Sequence, residues 1–231
     1  GKWGSEAVTV SDIRPVSLPL PMVPFFRQTN LDLVHTKGDK TRFLGGILTD
    51  KAGRAAALWA CFPNHAGDDS PDWWLGVPAA VVNDFLADPS GGFSMGVEWG
   101  RTGLIDARRL GLGNDEAARI ERHDPGSRTL LQVGRVTKDG PADGRLRVGD
   151  LLIRVNGELV TRLGDFDALH KADVMTLTIF RDGALQDVNI TPRFVSSMAT
   201  TRLIMWGGAL FQAPHRAIAQ QHGQPTSGAY V

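Results

Sequence analysis

Apolar and polar residues alternate along this chain over short stretches, a period of two that predicts strands more often than helices. The clearest case spans 128–160. Leu130, Leu131 and Val133 lead into the turn-rich Lys138-Asp139-Gly140-Pro141, and Gly149-Asp150 then opens a strand over 151–155. Asn156-Gly157 closes that strand as a hairpin, because both central residues of a type I′ turn need positive φ and this pair tolerates it best. Upstream, residues 7–10, 31–34, 43–50, 54–62 and 73–77 predict strands, with Lys51-Ala52-Gly53 as the turn between the third and fourth. Pro78 suits the first turn of a helix over 79–86, where its missing N–H costs nothing. Asp88-Pro89-Ser90-Gly91-Gly92 has the composition of a linker. Beyond it come a short helix over 105–110 and a second over 163–171, in which Leu163, Phe166, Leu169 and His170 recur at helical spacing. A strand over 175–179, an Asp182-Gly183 turn and a return strand over 188–190 close that unit near Pro192.

The first thirty residues follow another rule. Four prolines between Pro15 and Pro24 forbid a helix, and Leu18, Leu20 and Met22 alternate as one buried side would. The segment reads as an extended strap across a β-domain, with a ligand for an SH3-type module as the alternative.

Composition agrees with a mainly β fold with short helices: 27 glycines and 13 prolines among 231 residues favour many turns. Lys plus Arg equals Asp plus Glu at 25 each, so nothing in the charge balance calls for nucleic acid or an anionic membrane as partner. No stretch of some 18 apolar residues occurs, and membrane insertion is not expected. Cys61 is the single cysteine, which excludes an intrachain disulfide; inside the apolar run 55–62 it reads as a small buried hydrophobe. Asp68, Asp69 and Asp72 lack the alternating ligands, central glycine and closing glutamate of a calcium loop, so they read as a solvated turn. No metal or other cofactor is expected. The compartment stays open, exported or periplasmic if the source is bacterial, and the apolar ending Ala229-Tyr230-Val231 suggests a piece of something longer.

Two stretches carry a resemblance to the HtrA/DegP-like (Deg) serine proteases. Leu44-Gly45-Gly46-Ile47-Leu48-Thr49-Asp50, followed by a glycine-containing turn, resembles the trypsin-like segment that holds the nucleophile, and Trp74-Leu75-Gly76-Val77-Pro78 resembles the last strand before the helix that leads to the PDZ domain. Gly45 and Gly46 fall on the family's paired glycines and Leu44 on its serine. A leucine neither attacks nor is deprotonated, so this implies a catalytically inactive unit. Arg42 stands where the family has another glycine, and His35 or His65 with Asp32 reads as ordinary strand or loop chemistry rather than a triad. The block 128–160 resembles the PDZ core of the same family, and Phe93-Ser94-Met95-Gly96-Val97 its carboxylate-binding loop. Such a loop needs backbone N–H groups converging on an anion and apolar side chains lining the last-residue pocket. The resemblance therefore implies peptide contacts at Ser94, Met95, Gly96 and Val97, with Phe166, Leu169 and His170 on the groove helix. Gly96–Trp99 and Gly111 find counterparts in Gly208–Phe211 and Gly223, each 112 residues on. Met205-Trp206-Gly207-Gly208 would be a second such loop, followed by a helix over 214–222.

The implied organisation is the C-terminal part of a degenerate protease barrel over 1–88, a PDZ domain over 89–193 and the beginning of a second PDZ-like domain over 194–231. It looks like a junction in the long fungal and plant members, which carry a degenerate second protease unit and several PDZ domains and serve protein quality control. The expected function is binding C-terminal or extended peptides of unfolded proteins by strand addition. The alternatives are part of an active endopeptidase completed outside the chain, and a scaffold for homo-oligomer contacts.

Overall fold

The computed structural model describes residues 4–21, 26–37, 45–62, 72–169, 173–196, 202–214 and 227–231. A five-stranded antiparallel sheet opens the chain: β1 (Val10–Pro21), β2 (Phe26–Thr36), β3 (Gly45–Thr49), β4 (Ala55–Phe62) and β5 (Trp73–Pro78), in the order β1-β2-β5-β4-β3. The proline-rich segment is thus a full strand of this sheet and not a strap laid across it. Its position explains how that is possible. β1 lies at the sheet edge, and Pro15, Pro19 and Pro21 share one parity, so their missing N–H groups all face the unpaired side. Leu33 and Leu75 form the buried centre, with Val16, Leu31, Phe62, Trp73 and Val77 packed around them. Ile47 and Leu58, directly paired across β3 and β4, remain 64% and 50% exposed, so this face of the sheet is bare among the described residues.

Helix α1 (Ala79–Ala87) leads to a short strand β6 (Gly91–Ser94), then β7 (Val97–Gly103), α2 (Leu104–Arg109), α3 (Asn114–His123), β8 (Thr129–Val136), β9 (Leu151–Val155), β10 (Glu158–Leu159), α4 (Leu163–Leu169), β11 (Met175–Arg181), β12 (Ala184–Ile190) and β13 (Arg193–Ser196). Strands β12-β11-β9-β8-β7 form a sheet with β10 paired to β9, while β13 returns to pair with β6. Asn156 and Gly157 both take positive φ, 50° and 89°, as the predicted tight turn requires, and Asp182-Gly183 repeats the device at 51° and 81°.

This second sheet is buried on both faces. Leu131, Val133, Leu152, Leu177 and Ile179 face α4 and the loop before β7, while Leu130, Leu151, Ile153 and Phe180 face α2 and α3. A bulge in β9 opposite Thr178 and Ile179 lets Ile153 and Arg154 both turn toward α3, where Arg154 meets Glu116. Helix α3 was not legible in the sequence: its buried face is only Glu116, Ala117 and Ile120, too narrow and too charged to stand out as an apolar stripe.

The tail forms a small hairpin, β14 (Ile204–Trp206) and β15 (Ala209–Phe211), with Gln212 bridged to Tyr230. Met205 and Trp206 are therefore strand residues and Gly207-Gly208 the two-residue turn between directly paired strands, not an open loop. Gly207 and Gly208, at φ 59° and 81°, allow that tight closure. The helix expected over 214–222 falls outside the described residues beyond Pro214.

Candidate functional site

The candidate loop is anchored from both sides. Upstream, β6 and β13 pair from Arg193 opposite Ser94 to Ser196 opposite Gly91, and the rings of Phe93 and Phe194 meet edge to face with centroids 5.6 Å apart. Downstream, Val97 begins β7 and pairs with Val136. Between them, Met95 is buried and Gly96 sits at φ 79°, a left-handed conformation that a glycine holds without strain. The amide of Ala142 donates to the Met95 carbonyl (3.1 Å) and that of Thr137 to the Gly96 carbonyl (2.7 Å). A trans peptide sets N–H opposite C=O. Fixing these two carbonyls toward 137–142 therefore turns the Gly96 and Val97 N–H groups to the other side, which is the arrangement an anion needs. The Gly96 N–H meets the Ser94 hydroxyl at 3.2 Å.

Beside the loop, β7 ends the sheet order and, among the described residues, one of its edges is unpaired by any strand. Helix α4 lies alongside. Its start is capped by Asp165, whose carboxylate accepts from the Thr161 and Arg162 amides at 3.2 and 3.1 Å. Phe166 is buried against Trp99 of β7, ring centroids 5.3 Å apart. Met95, Trp99, Leu163 and Phe166 belong to one apolar cluster, with Val97 and Leu169 partly buried against it. The structure thus brings Met95, Val97, Phe166 and Leu169 into one apolar cluster with Ser94 and Gly96 in the loop beside it, whereas His170 lies outside the described residues.

Sequence reasoning missed the contacts of β7 and α4 with the first sheet. Asn30 of β2 turns its amide onto β7: the Trp99 N–H donates to Asn30 Oδ1 (2.8 Å), and Asn30 Nδ2 donates to the Trp99 carbonyl (3.2 Å). Nearby, Asp32 Oδ2 accepts the Gly164 N–H at the start of α4 (2.8 Å), and Asp12 of β1 pairs with Arg101 of β7. The second oxygen of Asp32 is buried with no partner among the described residues. Burial raises the Asp32 pKa most, and Asp165 raises it further. Asp167 is pushed up to about 6 by desolvation first, then by Asp32 and Asp84, although its side chain keeps substantial solvent contact.

On the protease-like side, Gly45 and Gly46 open β3 opposite Ala60 and Trp59, while Arg42, Leu44 and His65 lie outside the described residues. His35 Nε2 accepts from Arg14 Nε at 3.3 Å, and Asp32 gives its carboxylate to Gly164 instead of to His35. Residues 32 and 35 also differ by an odd number of positions on one strand, so they face opposite sides of the sheet. Burial, followed by the Arg14 guanidinium, holds the His35 pKa below its usual range. Cys61 is half-buried, not enclosed as expected, and pairs with Trp74 of β5. Its thiol lies 3.7 Å from Asp72, and burial and that carboxylate raise its pKa. Among the described residues no group of three or more His, Cys, Asp or Glu could hold a metal ion, and no helix is long and apolar enough to cross a membrane.

No protein-family model matches the chain. Curated proteins do, over nearly its whole length. The chain is 28% identical over 233 residues to a pro-apoptotic serine protease NMA111 of Phaeosphaeria nodorum, covering 96% of this chain and 23% of that protein. It is 27% identical over 242 residues to the NMA111 protease of Saccharomyces cerevisiae, covering 98% of the chain and 24% of the relative. These HtrA-like serine proteases are homologues of the chain. A PDZ domain-containing protein of Schizosaccharomyces pombe is 29% identical over 235 residues, covering 96% of this chain and 23% of its own length. The chain thus spans under a quarter of the curated relatives it matches. Among solved structures, the HtrA-type protease AlgW with a decapeptide is matched at a TM-score of 0.39 and 15% identity, over 81% of this chain and 62% of that one. The HtrA3 PDZ domain bound to a phage-derived ligand is matched at a TM-score of 0.33 and 16% identity, over 46% and 91%. The relatives bear out the kinship read from the glycine pair and the Gly-Asp block, and the strand-rich structure bears out the mainly β class.

Proposed function

We propose that this chain is the peptide-recognition portion of a longer HtrA-like serine protease, with residues 89–193 as its PDZ domain, residues 1–88 as a degenerate protease unit and residues 194–231 as the beginning of a second PDZ-like domain. A peptide with a free C-terminus lies along β7, its carboxylate at the Gly96 and Val97 amides and its last side chain against Met95, Val97, Phe166 and Leu169. The observation that carries this reading is the pair of bonds from Ala142 and Thr137 that turn the Gly96 and Val97 N–H groups outward beside an unpaired strand edge. His170 is assigned to the groove on its sequence position alone. With leucine at position 44 the chain does not cleave what it binds.

Two measurements test this. Amide chemical shifts on titration with a peptide ending in valine should move Gly96 and Val97 together, and the same peptide amidated at its C-terminus should bind at least about tenfold more weakly. Equal binding of the two peptides contradicts the carboxylate loop. A fluorophosphonate probe should leave the chain unlabelled, and a labelled serine in it would restore the competing reading of an active endopeptidase.

A further inference from the structure

On a strand paired along one side only, alternate residues turn both N–H and C=O to the open edge, and a ligand strand binds by meeting both groups of one such residue. On β7 those residues are Val97, Trp99 and Arg101, and both groups of Trp99, the central one, are already met. The Asn30 side chain presents a carbonyl oxygen and an N–H in the spacing of a peptide unit, at 2.8 and 3.2 Å. Two further contacts hold β1 and β2 in place over the groove: Asp12 with Arg101, the next outward-facing position on β7, and Asp32 with the Gly164 amide at the start of α4. The carboxylate loop is met in the same manner, since the Ser94 hydroxyl accepts the Gly96 N–H that a bound anion would take.

We propose that the β1–β2 hairpin is an internal pseudo-ligand that closes the peptide groove, with the Asn30 amide occupying the hydrogen-bonding site on Trp99 that an incoming strand must use. This rests on the peptide-binding reading above. A peptide then binds only the fraction of molecules in which β2 has moved off β7, so its apparent affinity is the intrinsic one reduced by that fraction. In the longer protein, whatever displaces the first sheet opens the groove, which links the state of the degenerate unit to peptide capture.

The test uses the 231-residue chain and a fluorescein-labelled peptide ending in valine with a free carboxylate, followed by fluorescence anisotropy. Asn30→Ala should tighten binding by about tenfold, since two hydrogen bonds no longer favour the closed state. Asp12→Ala, which touches no groove residue except Arg101, should tighten it by a smaller factor. Exchange of the Trp99 amide, measured without peptide, should be slow in the wild type and fast in Asn30→Ala. Equal affinities for wild type and both variants overturn the closure and leave the peptide-binding reading standing. No binding by wild type or by either variant, with their melting temperatures unchanged, overturns that reading and the closure with it. Should Asn30→Ala fail to fold, Asp12→Ala and wild-type exchange decide. A wild-type Trp99 amide that exchanges as fast as an open strand edge overturns the closure.

Discussion

Single residues carry the geometry of the loop. Asp150, the acid of the Gly-Asp pair, is 3% exposed, and every bond it makes is structural. Its carboxylate accepts the Arg147 amide at 2.7 Å and a two-pronged contact from Arg181, whose guanidinium also reaches the Arg145 carbonyl at 2.9 Å. The Asp150 and Val133 carbonyls accept the Val133 and Gly149 amides, both at 2.9 Å. The motif that marks the block in the sequence is thus a clamp tying the 145–150 turn to β8 and β11, and it supports the 137–142 segment that orients Met95 and Gly96. Asp150→Ala leaves the half-buried Arg181 guanidinium with only the Arg145 carbonyl, and such a loss costs up to about 3 kcal/mol. Chemical denaturation of the variant should show a loss of unfolding free energy of that size, and a change below about 1 kcal/mol would contradict the clamp.

Between elements, the packing of α4 on β2 is set by carboxylates. Asp32 and Asp167 hold their protons more tightly in the packed state than free aspartates do, first through burial, with Asp165 adding to Asp32 and both Asp32 and Asp84 adding to Asp167. A carboxyl raised in this way stabilises the packed state fully below the ordinary aspartate range, and the contribution is lost as pH rises to about 6, the value for Asp167. Packing of β2 over the groove should therefore tighten on acidification from neutral pH to about 5, and the free-carboxylate peptide should bind more weakly there. Anisotropy titrations across that interval check this; tighter binding at the lower pH would refute it. Asp124 works in the opposite sense. The Arg162 guanidinium, at 2.8 and 3.0 Å, holds its pKa below the usual range, so its contribution is lost only under more acidic conditions and does not mask the first effect.

Across the whole molecule, the two sheets differ in how much apolar surface they enclose. The second is packed on both faces by two clusters, whereas the first rests on Leu33 and Leu75 with Ile47 and Leu58 exposed. Amides of β3 and β4 should exchange at least about tenfold faster than those of β8, β9 and β11, because local opening follows buried apolar contact. Uniform protection across both sheets would show that the bare face is covered in solution, as an oligomer contact would cover it.

The sequence by itself determined what depends on neighbours in the chain. The Asn156-Gly157 and Asp182-Gly183 turns, the alternation in β8 and β11, Pro78 at the start of α1 and the loop glycine at 96 all follow from local φ/ψ preference and side-chain period. Met95, Phe166 and Leu169 were legible as inward-facing residues because strand and helix spacing point them inward whatever lies opposite. Only the tertiary structure decided the rest. It made the proline-rich segment an edge strand, since an edge is where absent N–H groups go unmissed. It made the charged stretch 114–123 a helix, because Arg154 from a distant strand satisfies its buried Glu116. It also set Asn30 on Trp99, 69 residues away, a contact that no periodicity encodes because it depends on how the first sheet lies against the second.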